Sequence, residues 1–127
     1  MDSPFSYAVL RLVPRVERGE RINVGAVVYC RPRRYLAAQT GLDEARARAL
    51  WPDLDLDEVR AHLAAVERIA EGQEGAGPIA ALDLDARFHW LVAPSSTIIQ
   101  PSPVHTGVCD DPQEQLDRLF AELVRAP

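Results

Sequence analysis

The sequence predicts an α+β domain in which a small antiparallel β-sheet has helices packed on one face. Three features lead to this prediction. Two apolar, β-branched segments near the N-terminus flank a polar linker, the middle of the chain has helical periodicity, and two short extended segments precede a last amphipathic helix. The 127 residues fit a single domain over positions 1–127, with enough chain to bury an apolar core.

The first three predicted strands form an N-terminal meander. Residues 5–13 and 22–30 are apolar on both alternating faces, which is typical of strands that are covered on both sides. The polar linker 14–21 contains a glycine and joins them as an antiparallel hairpin. Residues 31–33 then turn the chain into a third strand over 34–39.

Aspartates mark the starts of the predicted helices in the middle of the chain. Asp43 opens a short helix that ends at Trp51, because a proline follows and disfavours helical geometry in the residue before it. Asp55, with a glutamate three residues later, opens a longer helix that ends near Gly72. The apolar residues of the longer helix share one face, and they are Val59, Leu63, Val66 and Ala70.

The C-terminal third combines helices with short strands. A third helix starts at either Asp83 or Asp85 and ends before the next proline. Residues 97–100 predict a short strand, and residues 104–108 extend again after a proline-rich break. Asp111, followed by proline and then glutamate, predicts the start of a last amphipathic helix.

The charge distribution is uneven along the chain. All 14 basic residues are arginine, which excludes chemistry that needs lysine, such as a Schiff base. Residues 1–34 carry a net charge of +4 and residues 35–127 a net charge of −9. The basic segment either steers an anionic ligand or acidic partner, or its arginines simply solvate an exposed face. The acidic total and the lack of a motif argue against nucleic-acid binding.

The sequence also bears on location. No apolar run approaches the roughly 20 residues of a membrane helix, and the N-terminus lacks the features of a secretory signal. The two cysteines, Cys30 and Cys109, lie far apart in the sequence and form no disulfide framework. We therefore expect a cytoplasmic protein with free thiols and no membrane segment.

Polar residues in the N-terminal hairpin form the first part of a candidate site. Arg11 interrupts an apolar strand, so its guanidinium must reach an acid, a ligand or water. Glu20 and Asn23 flank the start of the next strand, close to the end of the first. Arg11 therefore either forms a structural ion pair with Glu20 or binds a ligand together with both residues. Gly25 indicates a bulge, a close backbone approach or a packing glycine.

A hydroxyl-rich segment forms the second part. Its backbone and side-chain donors either bind an anion or satisfy an exposed loop. His105 is the best candidate for acid–base chemistry, and Ser102 and Thr106 are candidate ligand-binding residues beside it. The segment contains Ser95, Ser96, Thr97, Gln100, Ser102, His105, Thr106 and Gly107.

Several kinds of site are not expected. A metal site built from His105, Cys109, Asp110 and Asp111 lacks the usual ligand spacing. The chain has neither a GxSxG elbow for a nucleophilic serine nor a glycine-rich nucleotide fingerprint. We therefore expect no metal, no cofactor and no recognised catalytic constellation.

Two segments carry a family resemblance. FSYAVLRLVPRVERGERINVGAVVYC, residues 5–30, and FHWLVAPSSTIIQPSPVHTGVCDDPQEQLDRLF, residues 88–120, together resemble the domain of unknown function 3037 family. This resemblance implies a small bacterial domain of unassigned activity. It also implies an association with genes that neighbour HipA-like kinases, and hence a kinase-like partner.

Two functional hypotheses follow. The first is a non-enzymatic binding or regulatory module that acts through a protein partner, such as a HipA-like kinase. The alternative is a small enzyme or anionic-ligand-binding domain with a site built from segments 11–25 and 95–107. The alternative requires these two segments to meet across one cleft, where they would bring together Arg11, Glu20, Asn23, Ser102, His105 and Thr106.

Overall fold

A computed structural model describes residues 2–95 and 97–125. Its strands and helices follow one another as β1 (Ser3–Leu12), β2 (Ile22–Cys30), β3 (Tyr35–Thr40), α1 (Glu44–Leu50), α2 (Leu56–Glu71), α3 (Leu84–Leu91), β4 (Ile99–Pro101), β5 (His105–Cys109) and α4 (Pro112–Leu123). The α+β class, the N-terminal meander and the two later strands are thereby confirmed.

Strand β1 lies at the centre of a five-stranded antiparallel sheet. On one side it pairs with β2, which in turn pairs with β3. On its other side it pairs with two short strands in succession, β5 along residues 3–7 and β4 along residues 10–12. The hairpin segment and the 99–109 segment therefore meet on β1.

The two sides of the sheet bury different sets of residues. Val27 and Tyr29 of β2 point into a core that α1, α2 and α3 cover. Val28 and Cys30 alternate with them and point into a second core, which α4 covers with Leu116 and Leu119. We call these two sides the α3 face and the α4 face.

The prediction that the helices pack on one face is therefore wrong for α4. Three helices share the α3 face, but the last helix crosses to the other one. The strand sequences already contained the reason, because β2 is apolar on both alternating faces and needs cover on both. A single helical layer would have left Val28 and Cys30 in water.

Aspartate caps begin all four helices. The side chains of Asp43, Asp55, Asp83 and Asp111 each accept a hydrogen bond from a backbone N–H in the first turn. These bonds satisfy donors that a helix N-terminus leaves without partners. The choice between Asp83 and Asp85 is resolved in favour of Asp83.

The prediction for Gly25 is confirmed as both a bulge and a close approach. The pairing of β1 with β2 shifts register between Leu10 and Arg11, where β2 carries one extra residue. A Cβ atom at Gly25 would lie 3.0 Å from the Gln39 carbonyl oxygen and 3.3 Å from Leu10 Cδ1. The position therefore has no room for a side chain unless its neighbours shift.

Candidate functional site

Arg11 lies on the α4 face of the sheet, between two polar side chains. In the strand register it pairs with Asn23 of β2 on one side and with Gln100 of β4 on the other. Its side chain is half-buried and forms no hydrogen bond or ion pair with any residue in 2–95 or 97–125. Burial, followed by the nearby charge of Arg21, lowers the pKa of the Arg11 guanidinium.

The ion pair between Arg11 and Glu20 does not form. Glu20 lies in the exposed linker between β1 and β2, and its carboxylate accepts a hydrogen bond from Arg18 at 2.5 Å. The expectation of that structural pair was wrong because the two-residue spacing lets a local arginine reach the carboxylate first. Glu20 is thus engaged away from Arg11.

Asn23 holds the end of α4 against the sheet. Its side-chain amide donates to the backbone carbonyl of Leu123 at 3.0 Å. This carbonyl is one of the last in α4, so it has no partner within the helix. Asn23 is beside Arg11, as the sequence predicts, and it also has this structural contact.

Ser102 lies between β4 and β5 and supplies hydrogen-bond partners to β1 in the gap between these two strands. It is 3% exposed. The Val9 N–H donates to its hydroxyl at 2.9 Å, the Ser102 N–H donates to the Val9 carbonyl at 2.7 Å, and the hydroxyl itself donates to the Pro103 carbonyl. The hydroxyl group is therefore already engaged with backbone.

His105 and Thr106 point to opposite faces of the sheet, because successive residues in a strand alternate. His105 pairs with Tyr7 on the α4 face, where the two rings lie 5.2 Å apart. Thr106 pairs with Ser6 on the α3 face. The two residues therefore cannot serve one site.

Arg11 and His105 share a face but do not meet. Their pairing positions on β1 are Arg11 itself and Tyr7, which are four residues apart and hence about 13 Å along the strand. Val9 lies between them and is buried. The strand register therefore does not bring Arg11 and His105 into direct contact.

The remaining hydroxyl residues satisfy local backbone. The Ser95 hydroxyl accepts from the Thr97 N–H, and the Thr97 hydroxyl donates to the Ile99 carbonyl. The Gln100 side-chain amide donates to the Thr97 carbonyl. Ser96, which belongs to the same predicted cluster, lies outside the described residues.

A different arrangement appears at the outer edge of β5. This strand pairs with β1 on its inner side, and no described residue pairs with its outer backbone groups. Its sequence, His-Thr-Gly-Val-Cys, contains no charged residue and no proline. Val108 is 67% exposed, and Val104 just before the strand is 42% exposed. We call residues 104–108 the β5 edge.

A cleft of about 560 Å³ runs beside the β5 edge on the α3 face. Thr106 and Val104 form one wall, and Phe88 and Val92 form the other. The floor and ends are contributed by Pro4, Phe5, Ser6, Tyr29, Arg31, Pro32, Asp85 and His89. We call this the α3 cleft, and its size lies within the range of ligand pockets in proteins.

The rim of the α3 cleft has a fixed polar pair. The Tyr29 hydroxyl donates to the Asp85 carboxylate at 3.1 Å, and burial, followed by this hydrogen bond, raises the pKa of Tyr29. Tyr29 also packs on Phe88 with ring centroids 4.9 Å apart. Both aromatic residues are therefore held in place on the cleft wall.

Among the site residues predicted from the sequence, only Thr106 lines the α3 cleft. Tyr29, Phe88 and Val92 are apolar or aromatic positions of a strand and a helix, and such positions indicate core. Only the placement of α3 across the sheet from β5 brings these positions to the wall of an open cleft. The exposed valines of the β5 edge were the one sequence feature that could have indicated it.

The described residues meet the requirements of neither a metal site nor a membrane-spanning helix. Across residues 2–95 and 97–125 no three His, Cys, Asp or Glu side chains converge to hold a metal ion. None of the helices in these ranges has the length and apolar character required to cross a bilayer. Cys30 and Cys109 are free and buried, and burial is the main cause that raises the pKa of the Cys109 thiol.

Comparison with known proteins identifies the family. A family model described as "Protein of unknown function (DUF3037)" matches residues 7–124. The chain belongs to this family. No curated protein matches the chain, and no solved structure matches it. The DUF3037 match covers every strand and helix from within β1 to α4, so the β5 edge lies within the family region. The lining of the α3 cleft lies within it too, except for Pro4, Phe5 and Ser6.

Proposed function

We propose that this DUF3037 chain is a non-enzymatic protein-binding module, which takes an extended segment of a partner protein as an added strand on the β5 edge. The single observation that carries the proposal is an unprotected edge strand beside an apolar cleft. Strand addition satisfies the outer backbone groups of the edge, and pockets beside it select alternate side chains.

The two edges of the sheet support this proposal by their contrast. At the β3 edge, the Glu67 carboxylate accepts hydrogen bonds from the Thr40 N–H at 2.9 Å and from its hydroxyl at 2.8 Å. That contact places a negative charge on the edge, which is one of the ways in which proteins block pairing. The β5 edge has no such charge and exposes Val104 and Val108.

The size of the α3 cleft favours a foreign segment over a second copy of this chain. A copy that paired through its own β5 would offer threonine or valine side chains to the cleft. Those side chains are small beside a cleft of about 560 Å³. A partner segment with a large apolar or aromatic residue at a cleft-facing position would fill it and cover Val92 and Val104.

We expect Val108→Lys to weaken partner binding by at least about tenfold, because a lysine on an edge strand discourages strand pairing. Val16→Lys is the matched control, since Val16 is 44% exposed but lies in the linker between β1 and β2. The native chain, Val108→Lys and Val16→Lys would each be used as bait in cells that naturally make the chain. A HipA-like kinase is the first partner to look for.

The supporting result is a protein recovered by the native chain and Val16→Lys but lost with Val108→Lys. Hydrogen exchange of the purified complex would then show slowed exchange at residues 105–109. Protection confined to another part of the chain would overturn the proposal. So would a native dimer that Val108→Lys converts to monomer, because the β5 edge would then be a self-interface.

A further inference from the structure

A second feature of the molecule, independent of the β5 edge, lies on the α4 face around Arg11. The Arg11 side chain stands between two buried valines of the same strand face, Val9 and Val13. It is only half-exposed, yet no carboxylate or carbonyl among the described residues accepts from it. A guanidinium has five N–H donors, and leaving them without partners near apolar surface is unfavourable.

A second arginine lies beside it. Arg21 directly precedes β2, two residues before Asn23, and Asn23 pairs directly with Arg11. Arg21 is exposed, and its charge lowers the pKa of Arg11 in addition to the effect of burial. Two like charges therefore lie close enough to interact at the end of this hairpin.

The acids that could neutralise this pair are engaged elsewhere. Glu17 forms an ion pair with Arg15, and Glu20 forms one with Arg18, both within the exposed linker. Asp2 is the other acid in residues 1–34, and it precedes β1 at the opposite end of that strand. Among the described residues 2–34, no acid therefore pairs with Arg11 or Arg21.

We propose that Arg11 and Arg21 bind an oxyanion, either a carboxylate or a phosphate group, on the sheet face between Asn23 and Gln100. Arginine donors match the geometry of both groups and can bind them through paired hydrogen bonds. The bound charge would relieve the repulsion between the two guanidinium groups. The Asn23 contact with the Leu123 carbonyl places the C-terminal end of α4 beside this position.

Titration with inorganic phosphate and with succinate, each at constant ionic strength, tests this site. We expect saturable binding of at least one anion, followed through the arginine Nε–H resonances in a ¹⁵N-correlated spectrum. Arg11→Gln and Arg21→Gln should each weaken it about tenfold, because each removes a charge-assisted contact. Binding of phosphate alone assigns a phosphate-type ligand, and binding of succinate alone assigns a carboxylate-type ligand.

Arg68→Gln is the matched control, because Arg68 is an exposed residue of α2 on the opposite side of the sheet. It should leave anion binding unchanged. Equal weakening in Arg68→Gln would show that the anions respond only to overall charge and would overturn the proposal. Absence of saturable binding by both anions would overturn it as well.

A stability measurement without anion separates a ligand role from a structural one. Arg11→Gln should unfold at the same or a higher urea concentration than the native chain, since it removes an uncompensated charge. A lower midpoint would assign Arg11 a structural contact instead. If that variant does not fold, Arg21→Gln carries the binding test, because Arg21 is exposed and lies before β2.

Discussion

At the scale of single residues, Ser102 shows how a polar side chain can be conspicuous in sequence yet serve the backbone. Its hydroxyl accepts a hydrogen bond from the Val9 N–H, and its own N–H donates to the Val9 carbonyl. Ser102 thereby supplies β1 with the backbone partners that a paired strand would otherwise give in the gap between β4 and β5. A buried backbone donor without a partner would cost as much as a lost hydrogen bond. The serine is required by β1 whether or not the chain binds a ligand.

Replacing Ser102 by alanine should lower the free energy of unfolding by about 1–3 kcal/mol, because the Val9 N–H would remain buried without an acceptor. Urea unfolding measures the effect. Ser95→Ala is the control, since Ser95 is exposed and water can replace its hydroxyl, and its effect should stay within about 0.5 kcal/mol. Equal midpoints for the two variants would contradict the assigned role of Ser102.

At the scale of elements, the helices are set by local signals and the sheet edges are not. Each helix begins at an aspartate cap that the sequence identifies without knowledge of the fold. The edges depend on neighbours far along the chain, since Glu67 of α2 binds Thr40 of β3, whereas no described residue pairs with the outer backbone groups of β5. The open edge is therefore a property of helix placement.

The longest helix offers a direct test of capping. Asp55→Ala should lower the free energy of unfolding by about 1 kcal/mol, because the Asp55 carboxylate accepts from the Glu58 N–H in the first turn of α2. Asp53→Ala removes the same charge two residues earlier, outside the cap position. Thermal and urea unfolding of both variants compare the two, and an equal loss in Asp53→Ala would attribute the effect to charge alone.

At the scale of the whole molecule, the N-terminal meander and the last helix are joined across the α4 face. The Tyr35 hydroxyl of β3 donates to the Gln113 side chain of α4 at 2.6 Å. At the other end of the helix, Asn23 donates to the Leu123 carbonyl. These two contacts, together with the apolar core beneath α4, hold the C-terminal helix on the meander.

The Tyr35 contact predicts a loss of stability in alkaline solution. Burial, followed by the charges of Asp117 and Asp111, raises the pKa of Tyr35 to about 12. The unfolded chain releases this proton near pH 10, so between about pH 10 and 12 it binds fewer protons than the folded chain and stability falls as pH rises. Urea midpoints across this range should fall less steeply in Tyr35→Phe. Parallel curves would contradict the prediction.

The predicted site residues show which functional inferences require the tertiary structure. Arg11 and Asn23 are neighbours, as their spacing in a hairpin predicts. Glu20 does not join them because it forms an ion pair with Arg18, and Ser102 does not because its hydroxyl is bonded to backbone. His105 pairs with Tyr7, four residues from Arg11 along β1. Thr106 faces the α3 cleft, whose other wall is α3, a helix to which the sequence interpretation assigned no site residue.

The sequence by itself determined the α+β class, the three-stranded meander and the starts of the helices. These features depend on alternation, periodicity and capping, which act over a few neighbouring residues. Only the tertiary structure decided that α4 crosses to the far face, that β5 is left as an open edge and that Arg11 has no acid beside it. Those outcomes depend on contacts between segments up to 100 residues apart, such as Asn23 with Leu123, and local preference does not encode such contacts.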